Sequence, residues 1–299
     1  MSAPAMLSPE VRARLRTLRL APRLARGDRG FGLHASHSRG AGLEFAQYRA
    51  YEPGDELRQV DWKLHARSDR WFVREAERDS PLVAWIVLDA SASMAQADEA
   101  RPDWSRLDAA RVLAACIAEV ALRQGDHAGL LAAGGDALRL VPAAAGSRQR
   151  ERLQHELVRI EAAGGMPDQA RLGPVWERVG PDALVVVLGD FLDPALPELA
   201  TRLAAARREV LAIQLLTVAE RDFPFDDGRR FIDPETGQAL PGDARALRAG
   251  FLARFGQAQR ELHARFDGAG IRHAVHVLGE PLLRPLQALF GAGQGSAGE

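Results

Sequence analysis

Two unbroken apolar segments, each followed by an aspartate, constrain the fold of this chain more than any other feature. Residues 82–88 read LVAWIVL and precede Asp89, and residues 183–188 read ALVVVL and lead through Gly189 to Asp190. A short run without polar alternation is typical of a strand that is buried on both faces of a sheet. The sequence therefore predicts a sheet whose two faces are both covered.

The rest of the chain alternates between helical and strand-like apolar patterns. We expect helices at residues 107–122, 150–160 and 245–266, and further strands at 129–133, 137–141, 210–218 and 271–278. This alternation predicts an α/β, Rossmann-like fold with a mostly parallel sheet flanked by helices. Ligands of such sheets bind at the carboxyl ends of the strands, so Asp89 and Asp190 are expected to converge at one edge.

The loop after the first apolar run has the pattern D-x-S-x-S, formed by Asp89, Ser91 and Ser93. A carboxylate and two hydroxyls at this spacing offer hard oxygen ligands to one small divalent cation, Mg²⁺ or Mn²⁺. We therefore predict a metal site made of Asp89, Ser91, Ser93 and Asp190. Aspartate and serine are also common loop and cap residues, so the alternative is that Asp89 and Ser91 only cap the next helix.

Residues 32–79 differ from the rest because they are rich in charge and aromatic side chains. We expect them to form a small N-terminal appendage that packs on the main domain, with Trp62 and Trp71 as buried apolar anchors. The spacing of Asp55, Arg58 and Asp61 suits a helix, and the three side chains are predicted to form a charge ladder.

The same region offers a candidate partner-binding surface made of Tyr48, Arg58, Lys63 and Arg67. Lys63 is the only lysine of the chain, and it lies four residues before Arg67, so the two side chains share one face of a helix. That face suits an anion or a carboxylate of a partner protein. The alternative is an ordinary solvated face.

The order of strand, D-x-S-x-S loop, helix and a later strand ending in aspartate resembles a von Willebrand factor A domain with a metal-ion-dependent adhesion site. The preceding residues narrow the resemblance to the bacterial family called "domain of unknown function 58", in its short soluble form. The residues that carry this resemblance include Gly42-Leu43-Glu44-Phe45, Pro53-Gly54-Asp55, Leu57-Arg58, Asp61-Trp62-Lys63 and Phe72-Val73-Arg74-Glu75.

This resemblance implies a von Willebrand factor A-like fold and a partner of the MoxR-type AAA+ ATPase class, other von Willebrand factor A proteins, or both. It implies a role in protein maturation, metal insertion or chaperone-like assembly. The adhesion site of the family usually includes a threonine from an intermediate loop, and the corresponding residues 164–168 contain none. Asp168 either replaces this threonine as a ligand or caps the next helix.

Composition excludes several other classes of protein. The formal net charge is -1, which gives no global attraction to nucleic acid. One cysteine, Cys116, allows no internal disulfide, and no apolar run reaches the roughly 18 residues of a membrane span. We expect a cytoplasmic protein with a helical or loose segment at 1–31, the signature region at 32–79, the main domain at 80–290 and a disordered tail at 291–299.

The favoured function is a non-enzymatic interaction module that depends on the metal site. The chain has no phosphate-binding G-x-x-x-x-G-K-[ST] loop and no G-x-S-x-G nucleophile turn. One alternative is a Mg²⁺-dependent phosphohydrolase with Asp89 as its nucleophile. The other is a structural domain in which the metal site is vestigial.

Overall fold

The computed structural model describes residues 6–21, 44–52, 60–68, 70–77, 81–135, 137–168, 171–226, 228–232 and 239–291. The chain divides into two compact units. The smaller is Arg29–Pro81, and the larger combines Met1–Asp28 with Leu82–Glu299. The division into four segments expected from the sequence stays a prediction, but the N-terminal segment belongs to the larger unit rather than standing apart.

Helices and strands alternate along the described residues. The helices are α1 (Pro9–Leu15), α2 (Trp62–Ser68), α3 (Arg106–Arg123), α4 (Ser147–Val158), α5 (Gly173–Arg178), α6 (Ala195–Ala205), α7 (Val218–Asp222), α8 (Ala244–Gly268) and α9 (Arg284–Phe290). The strands are β1 (Glu44–Ala50), β2 (Phe72–Glu77), β3 (Val83–Asp89), β4 (His127–Gly134), β5 (Ala137–Ala144), β6 (Leu184–Gly189), β7 (Glu209–Leu216), β8 (Gly228–Ile232), β9 (Ala239–Asp243) and β10 (Arg272–Val277).

The larger unit is built on a sheet whose described strands run in the order β10-β7-β6-β3-β4-β5. Neighbouring strands are parallel except for β5, which pairs antiparallel with β4. The predicted α/β fold, a mostly parallel sheet flanked by helices, is confirmed. One boundary differs, because β7 ends at Leu216 and the expected strand residues 217 and 218 instead begin α7.

Two apolar cores cover the two faces of this sheet. Alternate residues of β3 divide between them: Ile86 and Leu88 face one core, and Trp85 and Val87 face the other. The first core is completed by α1, α3, α4 and α9, and the second by α5, α6 and α8. Both faces of the strand are therefore buried, which explains why its sequence shows no polar alternation.

The N-terminal segment contains one short helix and packs against the first core. Helix α1 ends at Leu15, so the described part of the predicted helical or loose segment is helical only over Pro9–Leu15. Leu15, Leu18 and Leu20 are buried in the first core, as their apolar character predicts. The side chain of Gln124 accepts a hydrogen bond from the Leu20 amide at 2.8 Å and donates one to the Leu20 carbonyl at 3.1 Å. These bonds attach the segment to the end of α3.

The smaller unit consists of the antiparallel pair β1–β2 and helix α2. Asp61 begins the helix, since its Oδ1 accepts hydrogen bonds from the backbone amides of Lys63 and Leu64. The prediction that Trp62 and Trp71 are buried anchors is wrong, because 54% of Trp62 and 43% of Trp71 are exposed. The two rings instead contact each other at a centroid distance of 5.6 Å. Asp55 and Arg58 of the predicted charge ladder lie outside the described residues.

The hairpin of β8 and β9 and the helix α6 were not expected from the sequence. The predicted long helix and last strand are confirmed as α8 and β10. Among the described helices, none combines the length and the apolar character needed to cross a bilayer. The expected disordered tail lies outside the described residues, apart from Gly291.

Candidate metal centre

Asp89 and Asp190 leave the same edge of the main sheet from adjacent strands. Strand β3 is paired in parallel with β6, with Leu88 opposite Leu188, so both chains turn into loops at their carboxyl ends. Gly189 makes room for this approach, because a Cβ atom there would lie 2.8 Å from the Cβ of Asp89 and 3.0 Å from its Oδ2. A larger residue at position 189 would press directly on the Asp89 carboxylate.

A line of hydrogen bonds joins the predicted ligands. The Asp89 Oδ1 accepts from the Ser91 amide at 2.8 Å, the hydroxyl oxygens of Ser91 and Ser93 are 3.0 Å apart, and the Ser93 hydroxyl donates to the Asp190 Oδ2 at 2.6 Å. Since Ser93 uses its hydrogen on Asp190, Ser91 is the donor to Ser93. The Asp190 Oδ1 also accepts from the Leu192 amide at 3.0 Å. The D-x-S-x-S loop and the aspartate after β6 therefore form one cluster.

These ligand side chains are buried although they are polar. Asp89 is 3% exposed, Ser91 1%, Ser93 7% and Asp190 1%. Polar groups are seldom buried unless each has a partner, and the hydrogen bonds above supply one for each. Polar oxygen atoms therefore occupy buried positions at this edge of the sheet, where apolar side chains would usually lie.

The backbone of the intermediate loop supports the cluster. The amide of Ala92 donates to the carbonyl of Gly164 at 2.7 Å, and the amide of Ala163 donates to the carbonyl of Ala90 at 2.9 Å. Gly134 allows the end of β4 to approach, because a Cβ there would lie 2.0 Å from the Ala90 carbonyl oxygen. The glycines of this region fix the path of the Asp89 loop, whereas no hydroxyl comes from residues 164–168.

Asp168 is exposed, and its Oδ1 accepts a hydrogen bond from the Arg171 amide at 3.0 Å. This local bond resembles the expected capping role more than a place among the ligands. Helix α5 begins only at Gly173, so Asp168 closes a turn that precedes the helix. Its service as a metal ligand stays a prediction.

Arg106 is the residue of this site that the sequence reading missed. Its side chain is 1% exposed, and its Nη1 lies 3.3 Å from the Asp190 Oδ2 and 2.8 Å from the Glu220 Oε1. Its Nη2 donates to the Ser93 carbonyl. The sequence did carry one signal, since Ser105 and Asp108 form the capping box that begins α3 beside the loop. Nothing in the sequence indicates that the arginine points inward.

Glu220 connects this arginine to the end of β7. Its Oε2 accepts hydrogen bonds from the amide of Thr217 at 2.8 Å and from the hydroxyl of Thr217 at 3.0 Å, while its Oε1 accepts from Arg106. Thr217 and Glu220 form the capping box of α7. The guanidinium group of Arg106 therefore links Glu220, at the start of α7, to Ser93 and Asp190.

The charge of the cluster is negative overall. Burial is the main cause that raises the pKa of Asp89 to about 7, the neighbouring Asp190 charge raises it further, and the Ser91 hydrogen bonds and Arg106 act in the opposite direction. A carboxyl group that holds its proton near neutral pH lies in a place where more negative charge is unfavourable. A bound cation would remove this penalty.

The donor set fits a small hard cation. Among the described residues, no group of three or more His, Cys, Asp or Glu side chains can hold a metal, so hydroxyl oxygens are required here. Carboxylate oxygens are typical ligands of Mg²⁺, and the two serine hydroxyls lie within hydrogen-bond distance of each other and of Asp190.

The predicted partner-binding residues belong to the smaller unit. Lys63 and Arg67 are exposed on α2. Tyr48 lies in β1 opposite Arg74, and its side chain is outside what the structure describes, as is all of Arg58. The sequence reading missed the aromatic cluster beside them, formed by Tyr51, Trp62, His65 and Trp71.

Comparisons with known proteins give one family and several structural likenesses. The family described as "Protein of unknown function DUF58" matches residues 47–261. The uncharacterized protein Rv1480 of Mycobacterium tuberculosis is 34% identical over 226 residues, which are 72% of this chain and 68% of that protein.

Two solved structures match this chain at low identity and low TM-score. BatB from Bacteroides thetaiotaomicron is 17% identical with a TM-score of 0.37, and the match covers 63% of this chain and 98% of that one. The SpRpn10 VWA domain is 12% identical with a TM-score of 0.39, and the match covers 73% of this chain and 100% of that one.

Proposed function

This chain belongs to the DUF58 family, and we propose that it is an interaction module that binds partner proteins without converting a substrate. One observation carries the proposal: hydrogen bonds join Asp89, Ser91, Ser93 and Asp190 into one cluster at the edge of the sheet. This arrangement offers a cation several oxygen ligands. It offers no separate group that is suited to activate water.

Asp89 is poorly suited to act as the nucleophile of a phosphohydrolase. A nucleophilic carboxylate must be accessible to its substrate, whereas Asp89 is 3% exposed. The burial of Asp89 favours binding over catalysis.

We infer that the site takes Mg²⁺ or Mn²⁺ through Asp89, Ser91, Ser93 and Asp190. A bound cation supplies a strong attraction for a carboxylate, because hydroxyls and waters neutralise little of its charge. An acidic side chain of a partner protein then completes the shell. Partner binding by this route requires the metal.

The partner proposed for this site is a MoxR-type AAA+ ATPase, with other von Willebrand factor A proteins as further candidates. Membership of the family supports this proposal, and the role that follows is maturation or assembly of a client protein. A cytoplasmic location is proposed with it, in keeping with a single, buried cysteine. Lys63 and Arg67 provide a second, metal-independent surface for the same partner.

The test is a binding measurement between the full chain and the ATPase of the same organism, with and without a chelator. The variants are Asp89→Ala and, as a matched control, Asp267→Ala. Asp267 is 73% exposed near the end of α8, just before β10 begins, and therefore lies toward the opposite edge of the sheet. Asp89→Ala is expected to fold, since it relieves repulsion between Asp89 and Asp190.

We expect the native chain and Asp267→Ala to bind the ATPase, and we expect the chelator to weaken both by about tenfold or more. Asp89→Ala should bind weakly in either buffer. Equal binding by all three proteins in both buffers would contradict metal dependence.

A second candidate function is a structural domain whose metal site is vestigial. Arg106 favours it, because its guanidinium already holds Asp190, Glu220 and the Ser93 carbonyl together. Equal binding in all conditions would support this candidate. The surface of Lys63 and Arg67 would then be the better candidate for partner binding.

A further inference from the structure

Arg106 places a permanent positive charge inside the cluster of metal ligands. The side chain is 1% exposed, and its guanidinium contacts the carboxylates of Asp190 and Glu220. Among the described residues, its Nε has no hydrogen-bond partner, although the atom is buried. An arginine cannot release its proton in a protein, so this charge is present at every ordinary pH.

We propose that Arg106 is a built-in counter-ion that holds the metal site together without metal and sets its affinity for a divalent cation. The proposal rests on the metal site of the proposed function and adds the residue that tunes it. Without metal, the guanidinium neutralises Asp190. With metal, the cation and the guanidinium compete for the same carboxylate.

Competition follows from the shared oxygen. The Asp190 Oδ2 accepts from Ser93 at 2.6 Å and lies 3.3 Å from the Arg106 Nη1, so a cation bound by Ser93 and Asp190 would lie close to the guanidinium. Like charges at such distances repel strongly where water is excluded. Arg106 therefore lowers the affinity of the site for Mg²⁺ or Mn²⁺.

Glu220 provides the balancing charge. Its Oε1 is 2.8 Å from the Arg106 Nη1, which is shorter than the distance from that nitrogen to Asp190. When the carboxylate of Asp190 turns to a metal, Glu220 keeps the guanidinium paired. Because Glu220 also caps α7 with Thr217, the occupancy of the metal site is coupled to the start of that helix.

Two substitutions that remove charges of opposite sign test the proposal. Arg106→Gln removes the positive charge, and Glu220→Gln removes its balancing partner while keeping a residue that still suits the capping box. The full chain and each variant are titrated with Mn²⁺ alone in calorimetry, and thermal unfolding is followed with and without Mn²⁺. Arg106→Lys serves as the control that keeps the charge.

We expect Arg106→Gln to tighten the Mn²⁺ dissociation constant by about tenfold or more and Glu220→Gln to weaken it by about threefold or more. Arg106→Lys should stay within about threefold of the native chain, since its charge is the same. Without metal, Arg106→Gln should have a lower Tm than the native chain, because the buried Asp190 carboxylate and the partly exposed Glu220 carboxylate lose the guanidinium, and Mn²⁺ should restore the Tm.

A folded Arg106→Gln variant that binds Mn²⁺ no tighter than the native chain would overturn the proposal. If that variant does not fold, unchanged Mn²⁺ affinity in Glu220→Gln overturns it instead. A native chain that binds no Mn²⁺ beside an Arg106→Gln variant that does would support Arg106 as counter-ion and remove metal dependence from the proposed function. Absence of Mn²⁺ binding in every protein would overturn both.

Discussion

The edge of the main sheet at Asp89 buries polar side chains, whereas the smaller unit exposes large apolar ones. At the edge, Asp89, Ser91 and Asp190 are nearly inaccessible although they are polar. In the smaller unit, Trp62 and Trp71 are large and apolar, yet about half of each side chain is exposed. Buried polar side chains and exposed apolar ones are more informative than buried apolar and exposed polar ones, because burial of apolar surface does not account for either.

The two regions differ in how they are held. Each buried ligand at the edge has a partner, and backbone bonds to the neighbouring loop fix its position. The aromatic rings of the smaller unit contact mainly one another, with Trp71 lying 5.7 Å from Tyr51 and 4.9 Å from His65 between ring centroids. The edge is therefore preorganised for a small ligand, while the aromatic cluster offers open surface to a larger one.

The largest effect that tests this comparison comes from a pair of tryptophan substitutions. Trp85 on β3 is 2% exposed in the second core, so Trp85→Ala should destabilise the protein by about 3–5 kcal/mol. Trp62→Ala should lower the free energy of unfolding by less than about 1 kcal/mol, because the ring is exposed. Urea unfolding of both variants and the native chain gives the two values.

Similar losses for Trp62→Ala and Trp85→Ala would break the comparison, since Trp62 would then be an anchor of a core. A shift of the denaturant slope in Trp62→Ala alone would indicate that the two compact units unfold separately, and each transition would then be fitted by itself.

A smaller effect is expected from the pH dependence of Asp89. Its pKa is raised to about 7, so the native chain keeps a proton that the unfolded chain releases near pH 4. Stability from this group is fully present at low pH and is lost as pH rises through about 7. From pH 5 to pH 8 without metal, the native chain should lose roughly 2–3 kcal/mol more than Asp89→Asn.

Asp267→Asn is the matched control for this measurement, because its carboxylate is exposed. It should follow the pH dependence of the native chain when the free energy of unfolding is measured in chelator at each pH. Parallel curves for the native chain and Asp89→Asn would mean that the Asp89 carboxyl group is ionised at little cost, and the charge argument for a cation would fail.

The sequence was sufficient for the sheet and for the convergence of Asp89 with Asp190. Unbroken apolar runs predict strands that are buried on both faces, and parallel strands bring their carboxyl ends to one edge, so both conclusions follow from local patterns. The helix α3 was equally clear from apolar spacing. The β8–β9 hairpin was missed because its residues lack a regular apolar alternation.

Other parts of the molecule depend on contacts that no local pattern encodes. Trp62 and Trp71 were expected inside because tryptophan is usually buried on average, but here the rings pack on each other near a small sheet. Arg106 was missed for the opposite reason, since arginine is almost never buried without partners and its partners lie 84 and 114 residues away in the chain. The exposure of the two tryptophans and the burial of Arg106 are therefore decided by position in the fold and not by residue type.

The most direct test of the central claim is the anomalous scattering of Mn²⁺ in crystals of the full chain. The account predicts a peak at about 2.1 Å from oxygens of Asp89, Ser91, Ser93 and Asp190, with the Ser93 hydroxyl turned away from its hydrogen bond to Asp190. Crystals of Asp89→Ala should lack the peak. If Mn²⁺ scatters elsewhere or not at all, with Ser93 still bonded to Asp190 in the native crystals, the edge of the sheet is not a metal site.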